Sequence, residues 1–122
     1  DCSDRDTNKI KQNILFLQSL DTARIDKNKH WYYYDLSMAH FKLYTYNKDS
    51  AYLRTASQLM LNANIYKVNF YHAVYNLALF NYWLNEFDWA ESYCKQYLSL
   101  KTDKHSQKEI CKLLNKIQKQ KR

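Results

Sequence analysis

The chain runs to 122 residues with a formal net charge of +7 at pH 7, and it contains neither glycine nor proline, where average usage predicts roughly 8 and 6. Without glycine, tight primed hairpin turns, phosphate-cradling loops and Gly-dependent dinucleotide fingerprints are excluded, and collagen-like, Pro-rich and Gly/Ser-linker segments go with them. The same absence removes the two residues that interrupt helices most effectively, so the expected fold class is all-α. A composition of 46% apolar and 25% charged residues is that of a single globular domain over 1–122. No apolar run approaches the ~20 residues of a membrane span, since even Tyr71 to Leu84 is interrupted by His72, Asn76 and Asn81.

In chain order, Asp1-Cys2-Ser3-Asp4 is similar to the start of a mature bacterial lipoprotein, in which the Cys carries the lipid. An Asp directly before that Cys departs from the small residue usual at such a cleavage site. The resemblance implies an exported location, periplasmic or lipid-anchored through Cys2, in preference to the cytoplasm. Asn8 to Leu20 then reads as an N-terminal helix burying Ile10, Ile14, Leu17 and Leu20, and the polar stretch Asp21 to His30 as a connection.

Sliding the sequence against itself by 39 residues aligns Trp31–Leu61 with Phe70–Leu100 without a gap. The identical pairs are Tyr32/Tyr71, Ala39/Ala78, Phe41/Phe80, Asp49/Asp88, Ala51/Ala90, Leu59/Leu98 and Leu61/Leu100. Each copy reads as a helix, a short polar break and a second helix. In the second copy Tyr71–Leu84 presents Val74, Leu77, Ala78 and Trp83 on one stripe, Asn85-Glu86 breaks it, and Phe87–Leu100 buries Ala90, Tyr93, Cys94 and Tyr97. Asp49 and Asp88 stand near the starts of the second helices, where a carboxylate caps free amides and meets the positive dipole end. The Ala39/Ala78 and Ala51/Ala90 pairs are expected to face one another across each hairpin and permit close helix crossing. Residues 62–69, rich in Asn, are expected to connect the copies.

The run Ala73-Val74-Tyr75-Asn76-Leu77-Ala78-Leu79-Phe80-Asn81-Tyr82, followed by Phe87-Asp88-Trp89-Ala90-Glu91 and Tyr97-Leu98-Ser99-Leu100, resembles a tetratricopeptide repeat. Leu77 and Ala78 match the Leu-small pair of the first helix, Ala90 the small residue opening the second, and Leu98 and Leu100 its end. Met38-Ala39, Ala51, Leu59 and Leu61 keep the pattern in the first copy. The chain departs from it at Ala39 and Ala78, where Gly is common, at Thr102, where Pro often follows, and in its period of 39 rather than about 34. The resemblance implies a solenoid of about six helices in antiparallel pairs, closed by a capping helix in 101–122.

In such an array the first helix of each pair lines the concave face. The resemblance therefore points to Tyr33, Leu36, His40, Leu43 and Tyr44 in the first copy and to His72, Tyr75, Leu79, Tyr82 and Trp83 in the second. That surface is aromatic and nearly uncharged, suited to a peptide or a helix of a protein partner, although part of any aromatic-rich helical domain must fill its own core. The Lys, Asn and Arg clamp of chaperone-binding members is absent from these positions.

Basicity is concentrated at the end of the chain, because residues 101–122 hold eight Lys and Arg against two acidic residues. Lys104, Lys108, Lys112 and Lys116 recur every four residues, with Lys119 beyond, while Ile110, Leu113, Leu114 and Ile117 fall on the opposite side of the same helix. The lysine stripe reads as a solubilising cap or, as the alternative function, as an electrostatic footprint for nucleic acid or an anionic surface. His30, His40, His72 and His105 are scattered, and no nucleophile–base set or carboxylate pair emerges, so no catalytic residue is assigned and the chain is expected not to be an enzyme. Cys2, Cys94 and Cys111 show no metal-ligand spacing, and no metal or cofactor is expected. Cys94 and Cys111 lie at mirrored distances from Thr102, which leaves a disulfide across antiparallel helices open.

Overall fold

The computed structural model describes residues 2–19 and 28–121, and these form six helices with no strand among the described residues. They are α1 (Cys2–Ser19), α2 (Lys29–Asn47), α3 (Ser50–Tyr66), α4 (Tyr71–Trp83), α5 (Phe87–Leu98) and α6 (Lys104–Gln120). Each helix packs antiparallel on the next, and α4 also touches α6. No helix among the described residues is long and apolar enough to cross a membrane.

With no glycine available, the turns are made by Asn and Lys in the left-handed region, Lys48 at φ 58°, Asn69 at φ 60° and Asn85 at φ 62°. The Lys48 amide donates to the Tyr44 carbonyl at 2.8 Å and so closes α2. At the end of α4 the Asn85 amide donates to Tyr82 and the Glu86 amide to Asn81, at 3.1 and 2.8 Å, which is the Schellman arrangement. Asn tolerates this backbone through its short polar side chain, whereas a Lys there carries a strain of roughly 1–2 kcal/mol.

Two helix starts, those of α3 and α6, are fixed by the side chains that precede them. Asp49 accepts the Ala51 amide at 3.0 Å and begins α3, while Asp103 accepts the Ser106 amide at 2.8 Å and begins α6. Asp88 is not a cap. It sits in the first turn of α5, where the dipole favours it, and its carboxylate is taken by Lys121 at 2.7 Å. The segment 62–66 is not a connection either. It continues α3 through Tyr66, and the link to α4 shortens to residues 67–70.

The turn inside each hairpin recurs at 37 residues, not 39, since Lys48 and Asn85 both take positive φ at that spacing and the starts of α3 at Ser50 and α5 at Phe87 share it. Burial does not select one spacing, with Leu36/Ala73, Leu43/Phe80 and Met60/Tyr97 buried in both members at 37, Ala39/Ala78 at 39, and Leu43/Leu77, Ala56/Ala90 and Met60/Cys94 at 34. The pair Ala51/Ala90 fails the test of facing inward, because Ala90 is buried against Val74, Ala78 and Cys94 while Ala51 is exposed at the start of α3. Identical side chains had aligned positions on different faces.

The interior falls into three apolar clusters along the order of the helices. Ile14 of α1 meets Leu36, Ala39 and Leu43 of α2, and Ile10 and Leu17 pack at their edge. Leu20, expected to join them, lies outside the described residues. Leu53, Ala56, Met60 and Ala63 of α3 face Ala73, Leu77 and Phe80 of α4 across Phe70. Ser37, fully buried, donates its hydroxyl to the Ala56 carbonyl at 2.5 Å and ties α2 to α3 without leaving an unpaired donor. Ile110, Leu113 and Ile117 of α6 close the other end against Val74, Ala78, Ala90 and Cys94. Burying these three side chains is worth about 1.5–3 kcal/mol each, an upper figure because unfolded chains already hide some apolar surface. The exposed ion pairs of Lys121 with Asp88 and Glu91 add little beside that, so apolar contact holds the cap in place.

Candidate functional site

The residues expected to form one aromatic face lie in several separate environments. Leu36 and Leu43 are core residues, buried where α1 crosses α2. Tyr33 turns the other way and stacks on Tyr66 of α3, ring centres 5.4 Å apart and planes within 6°. Burial, followed by the neighbouring Tyr66, holds its phenol above the ordinary range. His40 is half-buried beside Tyr52 at 6.3 Å, its Nδ1 has no hydrogen-bond partner, and burial lowers its pKa. Tyr44 lies against Phe41, and Phe41 stacks on Trp83 at 5.6 Å with planes within 1°. Trp83 therefore bridges α4 to α2 from a partly exposed position and does not belong to the buried stripe of α4.

His72 and Tyr75 do share a groove. Together with Tyr34, Tyr71, Tyr97 and Ser106 they line a cleft of about 330 Å³ between the starts of α4 and α6. His72 packs among Trp31, Phe70 and Tyr71 at 4.1–5.4 Å, and burial, then the charge of Lys67, lowers its pKa. Tyr75 meets the buried Tyr97 edge to face at 5.5 Å, and its phenol is raised by burial first and then by Glu109. Leu79 is half-buried between the interior clusters, and Tyr82 leans on Phe87 at 5.8 Å. These aromatic groups are spent on holding α2, α4, α5 and α6 together.

A larger groove of about 410 Å³ opens on the opposite side, and the sequence reading did not single it out. Helices α3 and α5 form its walls and α4 its floor. Arg54, Ser57, Gln58 and Leu61 come from α3, Trp89 and Tyr93 from α5, and Leu77, Asn81 and Leu84 from the α4 side. Trp89 is 60% exposed and lies against Tyr93 at the rim, centroids 6.2 Å apart and planes 28° from parallel. Asn81, buried in the floor, uses its amide on the Leu77 carbonyl at 2.8 Å. The signal was present in the spacing, since Arg54, Ser57, Gln58 and Leu61 follow the three- and four-residue period of one helix face, as do Trp89 and Tyr93.

No protein-family model matches the chain, and no curated protein matches it either.

On α6, Lys104, Lys108, Lys112, Lys116 and Lys119 are all exposed, and Lys112 pairs with Glu109 at 3.5 Å. The opposed apolar face is the one that docks. Cys94 and Cys111 are both free thiols, Cys94 buried and Cys111 exposed. Burial, then the adjacent Cys111 and Glu91, pushes the Cys94 thiol up to about 12, which makes it a poor nucleophile at neutral pH. Among the described residues no three His, Cys, Asp or Glu side chains come close enough to hold a metal ion.

Proposed function

We propose that the chain is a non-enzymatic interaction module, built as a tetratricopeptide-like stack of helix pairs, which captures an apolar helix or peptide of a protein partner in the groove between α3 and α5. The stacking is supported by two hairpins in the same order at a 37-residue spacing and by side-chain contact between alternate helices. Phe41 and Trp31 of α2 meet Trp83 and Phe70 beside α4, and Val74 and Ala78 of α4 meet Ile110 and Ile117 of α6.

The observation that carries the binding reading is the exposed Trp89 set beside Tyr93 and Leu61 in a groove walled by two helices and floored by a third. A large, rigid aromatic at the rim of a concave apolar surface supplies contact area at low entropic cost, which is the usual chemistry of a binding hot spot. Arg54 on the α3 wall offers a charge to orient an acidic residue of the ligand.

Peptides selected from a random library against the folded chain test this directly. Trp89→Ala is expected to weaken a selected peptide by roughly 30-fold or more, the loss of a single hot-spot aromatic, with Tyr75→Ala on the other side of the molecule unchanged. Peptides that bind the Trp89→Ala protein with undiminished affinity refute the groove.

A second reading rests on a separate observation, the exposure of the α6 lysine stripe. It assigns α6 an anionic partner such as nucleic acid. Affinity for an oligonucleotide then falls linearly with the logarithm of salt concentration and is lost on charge reversal at Lys108, Lys112 and Lys116. A salt-independent affinity removes this reading.

A further inference from the structure

The antiparallel order of the helices gathers the starts of α2, α4 and α6 and the ends of α3 and α5 at one end of the molecule. The most exposed aliphatic side chains outside α1 stand there. Val68, at the tip of the 67–70 link, is 76% exposed and Ile65 at the end of α3 is 63% exposed, with Tyr66, Tyr71 and Trp31 exposed around them. The tip is rigid. Asn69 Oδ1 accepts the Gln96 side-chain amide at 3.0 Å, which pins the link to α5, and Phe70 on its other side is buried among Trp31, Tyr34 and His72.

Among the described residues, Lys67, Lys101 and Lys104 stand at this end with Asp103, whose carboxylate caps α6. Two ammonium groups rest on aromatic faces of the tip, Lys29 Nζ 5.0 Å from the Tyr66 ring centre and Lys67 Nζ 5.3 Å from that of Phe70. The opposite end also exposes aromatics, but there Lys48, Lys119 and Lys121 are matched by Asp49, Glu86 and Asp88, and Trp83 is stacked on Phe41.

We infer that this end docks on an anionic lipid bilayer, with Val68 and Ile65 entering the headgroup–acyl boundary, Trp31, Tyr66 and Tyr71 at headgroup depth and the lysines on the lipid phosphates. Each component matches a layer of that boundary. Exposed aliphatic side chains gain by leaving water, aromatic side chains with a polar edge favour the interface, and lysines gain from the negative surface potential while keeping their ammonium groups wet. A protein partner fits less well, because lysine is depleted from the desolvated centre of protein interfaces. Nucleic acid has no use for Val68 and Ile65.

The test is flotation of the full chain with vesicles of phosphatidylcholine alone and of phosphatidylcholine with phosphatidylglycerol. The chain is expected to float with the anionic vesicles and to remain behind with the neutral ones. Val68→Asp with Ile65→Asp, and separately Lys67→Glu with Lys101→Glu, each lower the partition coefficient by about tenfold or more, the size set by the contribution of a lysine near such a surface. Both positions are exposed, so unchanged thermal melting keeps the comparison free of unfolding. Lys116→Glu with Lys119→Glu, at the far end of α6, leaves flotation nearly intact. Failure to float with anionic vesicles, equal flotation with neutral ones, or loss through the Lys116 and Lys119 reversals with no effect of Val68 and Ile65 overturns the assignment.

Discussion

Replacing Ala90 by Leu probes the register on which the whole stack depends. Ala90 is fully buried where α5 crosses α4, packed among Val74, Ala78, Cys94 and Ile110. Leu adds three carbons to a contact that has no room for them, and α5 must either move away from α4 or force off-rotamer side chains. Overpacking of this kind costs about 1–3 kcal/mol. Unfolding of a domain this long has an entropy that converts each kcal/mol into about 4 °C, so the melting midpoint is expected to fall by about 4–12 °C. Ala51→Leu is the control, since Ala51 pairs with Ala90 in the 39-residue alignment but is exposed in the first turn of α3. A surface substitution there stays within about 0.5 kcal/mol. Thermal unfolding followed by far-UV circular dichroism separates the two, with urea unfolding as a check at constant temperature. Equal destabilisation by the two variants would falsify the 37-residue correspondence and the packing of α5 described above.

Lys48→Gly is expected to stabilise the chain by about 1 kcal/mol, because a residue at φ 58° gains by losing its Cβ, and Asn85→Gly by less, since Asn already tolerates that backbone; chemical denaturation measures both, and a destabilised Lys48→Gly protein contradicts the strain at that turn. Native Cys94 is expected to resist a thiol reagent that labels Cys111 readily, and it also sets an alkaline limit. Its pKa is raised in the folded state from 9.0 to about 12, so its contribution to stability is whole below pH 9.0 and is lost as pH rises towards 12. The slope is about 1.4 kcal/mol per pH unit, and Cys94→Ala should remove that part of the pH dependence of urea unfolding.

Much of the architecture was legible before any coordinates. The absence of Gly and Pro, the apolar stripe of Val74, Leu77 and Ala78, the inward face of Ala90, Cys94 and Tyr97, and the opposed faces of α6 all rest on local periodicity, and each appears in the structure as an all-helical stack. The turns made by Asn and Lys follow from the same composition. The binding surfaces were less legible. Tyr33, Tyr44, His72 and Trp83 looked like one face because their spacing places them on first helices, yet the side of a helix that stays open depends on which neighbours cover it. Helix α1 covers Leu36 and Leu43, α3 takes Tyr33 and α2 takes Trp83.

The sequence by itself determined that the chain is helical, where its basic face lies, and which side chains on each helix share a stripe, because those properties depend on residues three and four apart. Only the tertiary structure decided which stripe meets which. Identity at 39 residues matched buried Ala39 with buried Ala78 but exposed Ala51 with buried Ala90, since packing responds to shape at a contact and not to the recurrence of a residue. The groove bearing Trp89 and the tip bearing Val68 arise from helices and links distant in sequence, α3 with α5 in one case and the ends of five helices in the other. Such surfaces exist only once the chain has folded around them.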